Sequence, residues 1–123
     1  MQMQTKIDAT GDVVVGDQIE FIEGVFVGSY KRPRHVGDRT IIANVVKDSY
    51  GSDRQQHTFT LVVIESSGHD PVAQGSKIRR KGRNVYRNGV VRQRWDDESL
   101  RDLALDEKHM RGDAARHLRA ANS

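Results

Sequence analysis

Apolar and polar positions alternate in short runs over the first 95 residues, and beyond Trp95 the apolar positions recur every three or four residues instead. A two-residue period marks half-buried strands, and the longer period marks a helix with one apolar face. Val13, Val14 and Val15 end at Gly16-Asp17, and residues 18–27 then bring Ile19, Phe21, Ile22, Val25, Phe26 and Val27, interrupted by Gly24. This predicts two short strands or one bulged strand. Residues 28–38 hold Pro33, two glycines and a cluster of basic and histidine side chains, the composition of an exposed loop.

The clearest strands are residues 39–50, with Thr40, Ile41, Ile42, Val45 and Val46, and residues 57–65, with an unbroken run from Thr58 to Ile64. The polar, glycine-containing connector from Tyr50 through Gly51, Ser52 and Asp53 to Arg54 makes them an antiparallel pair. Phe59, Leu61 and Val63 then face one side, and Thr58, Thr60, Val62 and Ile64 the other. Residues 66–76, with serines, glycines and Pro71, read as a surface loop. Ile78, Val85, Tyr86, Val90, Val91 and Trp95 follow, broken by Gly82 and by Asn88-Gly89. Asn-Gly accepts positive φ at both positions, so residues 84–95 are predicted to be a second hairpin.

After Trp95, Leu100, Leu103, Ala104, Met110, Ala114, Leu118 and Ala121 form one apolar stripe, expected to bury against the body of the protein. Asp96, Asp97 and Ser99 supply capping and a favourable anion at the helix start, while Gly112-Asp113 leaves open a kink or a two-helix reading. The fold class is therefore mainly β with a C-terminal helix: a small curled antiparallel sheet or partly open barrel of the oligonucleotide-binding, SH3-like or PUA-like kind. Residues 1–12 are expected to be a flexible N-terminus, 13–95 the barrel-like domain, and 96–121 a helix or kinked helix pair packed on it. The stretch Val15-Gly16-Asp17-Gln18-Ile19-Glu20-Phe21 resembles the strand openings of small barrels, PUA-like ones among them, where a glycine-aspartate turn feeds an amphipathic strand.

Charge changes this picture more than composition does. The formal net charge is only +3, from 20 basic and 17 acidic residues, yet residues 77–94 hold eight cations and no acid. Lys77, Arg79, Arg80, Lys81, Arg83, Arg87, Arg92 and Arg94 thus leave the rest of the chain with 12 basic against 17 acidic residues. A smaller cluster, Lys31, Arg32 and Arg34, lies in the predicted loop. Arginines along a curved ribbon suit a phosphate backbone, and Tyr86 or Trp95 suits stacking on unpaired bases. The expected function is non-enzymatic nucleic-acid binding through a basic hairpin, with DNA and RNA both open.

Competing readings attach to the same residues. Asp96, Asp97, Glu98, Asp102, Asp106 and Glu107 are placed to neutralise the basic segment by packing beside it. Trp95 suits a core or helix-junction role with its indole N–H satisfied, and Tyr30 and Tyr50 sit at strand ends beside loops. The alternative function is a protein-binding adaptor or inhibitor, a mobile-element origin being open to it, that docks its basic face on an acidic partner; a third is binding of a small anionic nucleotide, which needs a pocket near the cations. A homodimer through the C-terminal helix also fits the sequence.

Asp48, His57, Glu65 and Lys77 are the most suggestive polar residues for catalysis. They match no catalytic spacing, and Asp48 and His57 suit a hydrogen bond across the hairpin. No cysteine is present, and His35, His57, His69, His109 and His117 show no ligand spacing, so neither a metal nor another cofactor is expected. With no apolar leader or span, a cytoplasmic protein without membrane contact is expected.

Overall fold

The computed structural model describes residues 3–50 and 57–122, with side chains as far as residue 111. Six strands and two helices follow in the order β1 (Ile7–Asp8), β2 (Gln18–Val27), β3 (Arg34–Tyr50), β4 (His57–Gly68), β5 (Lys77–Lys81), α1 (Gly82–Tyr86), β6 (Val90–Arg92) and α2 (Glu98–Asn122). Every pairing is antiparallel, and the sheet order is β1-β6-β2-β3-β4-β5. The sheet curls but does not close. Its concave side holds Ile19, Phe21, Ile41, Val45, Phe59, Leu61 and Val63, with Val85 of α1 and Val90 of β6 sealed against them. Burial of each large side chain contributes about 1.5–3 kcal/mol.

The β3–β4 pair is the one expected, with Phe59, Leu61 and Val63 buried on the inner side. Bulges at Ile42/Ala43 and Val45/Lys47 bend β3 and supply the curl. The connector through residues 51–54 lies outside the described residues.

Five expectations are corrected, one of them the loop at residues 28–38, where residues 34–38 instead pair with β2 as the start of β3. First, residues 84–95 are not a hairpin. The Asn88-Gly89 turn is real, with Gly89 at φ +81 and its N–H donating to the Tyr86 carbonyl at 3.0 Å, but it ends a short helix. The strand that follows pairs with β2 and β1, so β5 and β6 lie far apart in the sheet order.

Second, Val13–Val15 form no strand. Val13 and Val14 are buried in a turn that the Asp17 side chain closes by accepting from the Val14 N–H at 3.0 Å. Gly16 takes φ +100 there, and a side chain would meet the Trp95 ring at 2.8 Å. Third, part of the N-terminal stretch is built in. Ile7–Asp8 is an edge strand, and Ala9 donates to Val90 at 2.9 Å, although its polar sequence has no strand-like alternation.

Fourth, α2 is a single helix, unbroken at Gly112-Asp113, and its apolar stripe faces outward. Leu100, Leu103 and Met110 are 55%, 65% and 71% exposed, whereas Arg101 and Lys108 are buried. Arg101 and Lys108 stand seven residues apart on one face, and their acceptors are Asp17 and main-chain and side-chain oxygens of the sheet domain. Buried carboxylates therefore select cations on the docking face. The stripe positions beyond Gly112, and any pairing of copies through them, lie outside the described side chains.

At its start the helix is capped by Asp97, whose carboxylate accepts from the Ser99 N–H at 3.0 Å and from the Ser99 hydroxyl. Glu98 grips Arg92 with two hydrogen bonds of 2.8 and 3.0 Å. The Arg92 guanidinium holds the Glu98 carboxyl down to about 2, outweighing the opposite effect of burial. A folded value below the ordinary 4.5 gives stability that is present above that pH and lost as pH falls through about 2. Glu98→Gln is expected to flatten the pH dependence of the denaturation midpoint in that window. Parallel pH profiles for the two proteins would contradict it.

Candidate nucleic-acid interface

The basic hairpin exists, but in β2–β3 rather than in residues 84–95. β4 pairs with β3 only from Arg39 onward, and β6 covers only Ile19–Phe21 of β2. The outer part of the β2–β3 pair, from about Phe26 to Val36, therefore projects beyond its neighbours as a two-stranded ribbon, while at its base the His69 N–H donates to the Asp38 carbonyl at 2.9 Å. At the tip, Gly28 has φ +97, and the Arg32 N–H donates to the Ser29 carbonyl at 3.1 Å and to its hydroxyl at 3.2 Å. No acid occurs between Glu23 and Asp38.

This ribbon interleaves cations with exposed rings. Tyr30 is fully exposed and Phe26 is 56% exposed, while Lys31, Arg32 and Arg34 are solvent-facing. Phe26 and His35 are cross-strand partners with ring centroids 5.3 Å apart, both lying over the bare backbone of Gly24. His35 also meets Asp38 at 2.8 Å.

At the base of the ribbon, the free edge of β2 faces β5 and α1 across an open cleft of about 300 Å³. Glu23 stands in it and clamps two guanidiniums: Arg39 Nε at 2.7 Å, and Arg80 Nε at 2.8 Å with its second nitrogen at 3.1 Å. Burial alone would raise the Glu23 carboxyl, but the hydrogen bonds from Arg80 and Arg39 hold it below the usual range. Arg80 is thus a fixed wall of the cleft. Asn88 donates to the Ile22 carbonyl at 3.2 Å, tying the end of α1 to β2 just past β6.

The other predicted cations divide between surface and interior. Lys77, Arg79 and Lys81 point outward from β5, in register with Val62, Thr60 and Thr58 of β4. One strand further, Lys47 stands opposite Thr60, so Lys47, Thr60 and Arg79 form one transverse row. The sequence alone does not single out Lys47, because only strand register brings it beside the β5 cations. Arg83 and Arg87 are exposed one helical turn apart at α1. Among the described residues, none of Lys31, Arg32, Arg34, Lys47, Lys77, Arg79, Lys81, Arg83, Arg87 and Arg94 has a side-chain ion pair.

Arg92, by contrast, is buried against Glu98, and Tyr86 packs inside, so neither is free to meet a ligand. The Tyr86 hydroxyl accepts from the Val13 N–H at 3.2 Å and from Lys108 at 3.3 Å, and burial raises its pKa. Arg94 is exposed at the opposite end of β2 from the ribbon, where Gln93 donates to the Gln18 carbonyl at 2.8 Å. Trp95 takes the junction role, donating its indole N–H to Asp17 at 2.7 Å.

Asp48 and His57 do meet across the β3–β4 pair, at 3.1 Å. His57 is stacked on Tyr50, edge-on to Phe59 and pressed against Gly82, where any side chain would collide with its Nε2. Lys108 lies 3.7 Å from Asp48, and burial lowers its pKa despite that carboxylate. These groups hold α2 and α1 onto the sheet. Among the described residues no three metal-ligating side chains cluster, and no helix is long and apolar enough to cross a membrane.

No solved structure matches this chain. It is 38% identical over 118 residues to the zinc finger CCCH domain-containing protein 62 of Oryza sativa subsp. japonica, a match that covers 92% of this chain and 17% of that protein. The chain thus spans about a sixth of that relative, and having no cysteine it carries no such finger itself. Residues 9–95 match the model of a domain of unknown function, DUF7699, which ends at the tryptophan seated on Asp17. The chain belongs to the DUF7699 family.

Proposed function

We propose that this domain binds nucleic acid, with the β2–β3 ribbon as its leading contact and the exposed cations of β5 and α1 as a flank. The observation that carries the reading is the ribbon itself, where Lys31, Arg32 and Arg34 surround the exposed rings of Phe26 and Tyr30 with no acid between Glu23 and Asp38. Cations that have no internal partner release counterions when they meet phosphates, and exposed rings supply stacking. The rice relative's zinc-finger name points the same way, since zinc fingers include nucleic-acid readers.

Titration of single- and double-stranded DNA and RNA at two salt concentrations tests this. With about five phosphates neutralised, affinity is expected to fall by roughly 10²–10³-fold between 50 and 200 mM salt. Absence of binding to all four at the lower salt refutes the proposal. Capture of an acidic protein in its place would favour the adaptor reading.

A further inference from the structure

We infer that the cleft between the free edge of β2 and α1 takes one unstacked nucleotide of the bound strand, so that the domain prefers single-stranded over duplex nucleic acid. This rests on the nucleic-acid reading and adds a site to it. β6 is only three residues long, which leaves β2 from Ile22 onward without a neighbour on that side. The gap is the cleft of about 300 Å³, at the small end of the volumes that hold organic ligands.

Its lining combines the two features a nucleotide needs. Phe26 supplies an aromatic wall, 56% exposed and supported by His35 and Gly24. Facing it, the exposed Arg87 makes no ion pair among the described residues, and the amide of Asn84 is likewise uncommitted. Between these walls, Arg39 and Arg80 are immobilised by Glu23, and Asp70 also pairs with Arg39 at 3.8 Å, so the floor is balanced and the positive charge of the cleft rests on Arg87. The rigid floor lowers the ordering cost of binding, and the free Arg87 adds a phosphate contact. The base stacks on Phe26 and the Asn84 amide meets its polar edge. A base held in a duplex cannot enter, because its faces are already stacked on its neighbours.

The same ribbon carries both the ring and the tip cations, so the strand reaches the cleft by following Arg34 and His35 inward. The test compares a twelve-nucleotide single strand with a duplex of the same sequence by fluorescence anisotropy, for the wild-type chain, Phe26→Ala and Arg87→Gln. Phe26→Ala is expected to weaken single-strand binding about tenfold or more and to leave duplex binding within about twofold, because stacking on one ring is sequence-tolerant but needs an unpaired base. Arg87→Gln is expected to weaken single-strand binding by a few-fold. An unchanged thermal midpoint accompanies both, since each side chain is exposed.

If the wild-type chain binds single strand and duplex but Phe26→Ala lowers both equally, or neither, the cleft inference is overturned and the ribbon proposal stands. If the wild-type chain binds neither, the ribbon proposal itself fails.

Discussion

The Asp17→Asn variant is expected to lose about 3–5 kcal/mol of folding stability, because it leaves a buried cation without its counter-charge. Asp17 is fully buried, and its two oxygens accept four hydrogen bonds. Val14 N–H binds at 3.0 Å, the Trp95 indole at 2.7 Å, and Arg101 at 2.9 and 3.0 Å through two nitrogens. All four partners are donors. An amide nitrogen in place of either oxygen points a donor at a donor, and the neutral side chain no longer balances Arg101, which is itself buried. The same node joins three distant parts of the chain: the turn before β2, the tryptophan after β6, and α2. Its removal therefore loosens α2, which Glu98 and Lys108 still tether, as well as weakening the sheet. Equilibrium urea denaturation followed by tryptophan fluorescence measures the effect, since the lone Trp95 reports directly on this node. A change under about 1 kcal/mol would show that the node is dispensable.

How much of this was legible in the sequence depends on whether a signal is local. The alternation around Phe59, Leu61 and Val63 marked the core side of β4, and the Asp48–His57 bond and the seat of Trp95 followed from residue type beside a strand end. The turn at Asn88-Gly89 was also legible, but the partners of its arms were not. Residues 82–86 coil into a helix that plugs the curled sheet with Val85, and residues 90–92 find β2 across some seventy residues of chain. No periodicity encodes that choice.

Pro33 and its cationic neighbours concealed a ribbon, since backbone pairing from Val27 to Arg34 continues the strands through a stretch with loop composition. In α2 the apolar stripe was misleading because the docking face is chosen by the sheet domain's carboxylates, Asp17 above all, which accept Arg101. The cleft arises from the shortness of β6, a property that only the pairing of strands reveals.

Reversing the ribbon's charge is expected to abolish most of the binding that the domain has. The triple variant Lys31→Glu, Arg32→Glu, Arg34→Glu replaces three unpaired, solvent-facing cations at a projecting tip, where no buried group is disturbed and folding stability stays within about 0.5 kcal/mol. Removing one phosphate interaction lowers the salt slope by about one, so the slope is expected to fall by roughly three and affinity by about a hundredfold or more. The control is Arg94→Glu. Arg94 is equally exposed and equally unpaired among the described residues, but it sits beside Gln18, at the far end of a ten-residue strand from the ribbon. At about 3.3 Å per residue that is on the order of 30 Å away. The decisive measurement is the affinity of these two variants for the same single-stranded oligonucleotide at low salt, relative to the wild-type chain. A hundredfold loss for the ribbon triple variant with less than a twofold change for Arg94→Glu is the predicted result; equal losses, or a larger loss at Arg94, would contradict the ribbon as the binding surface.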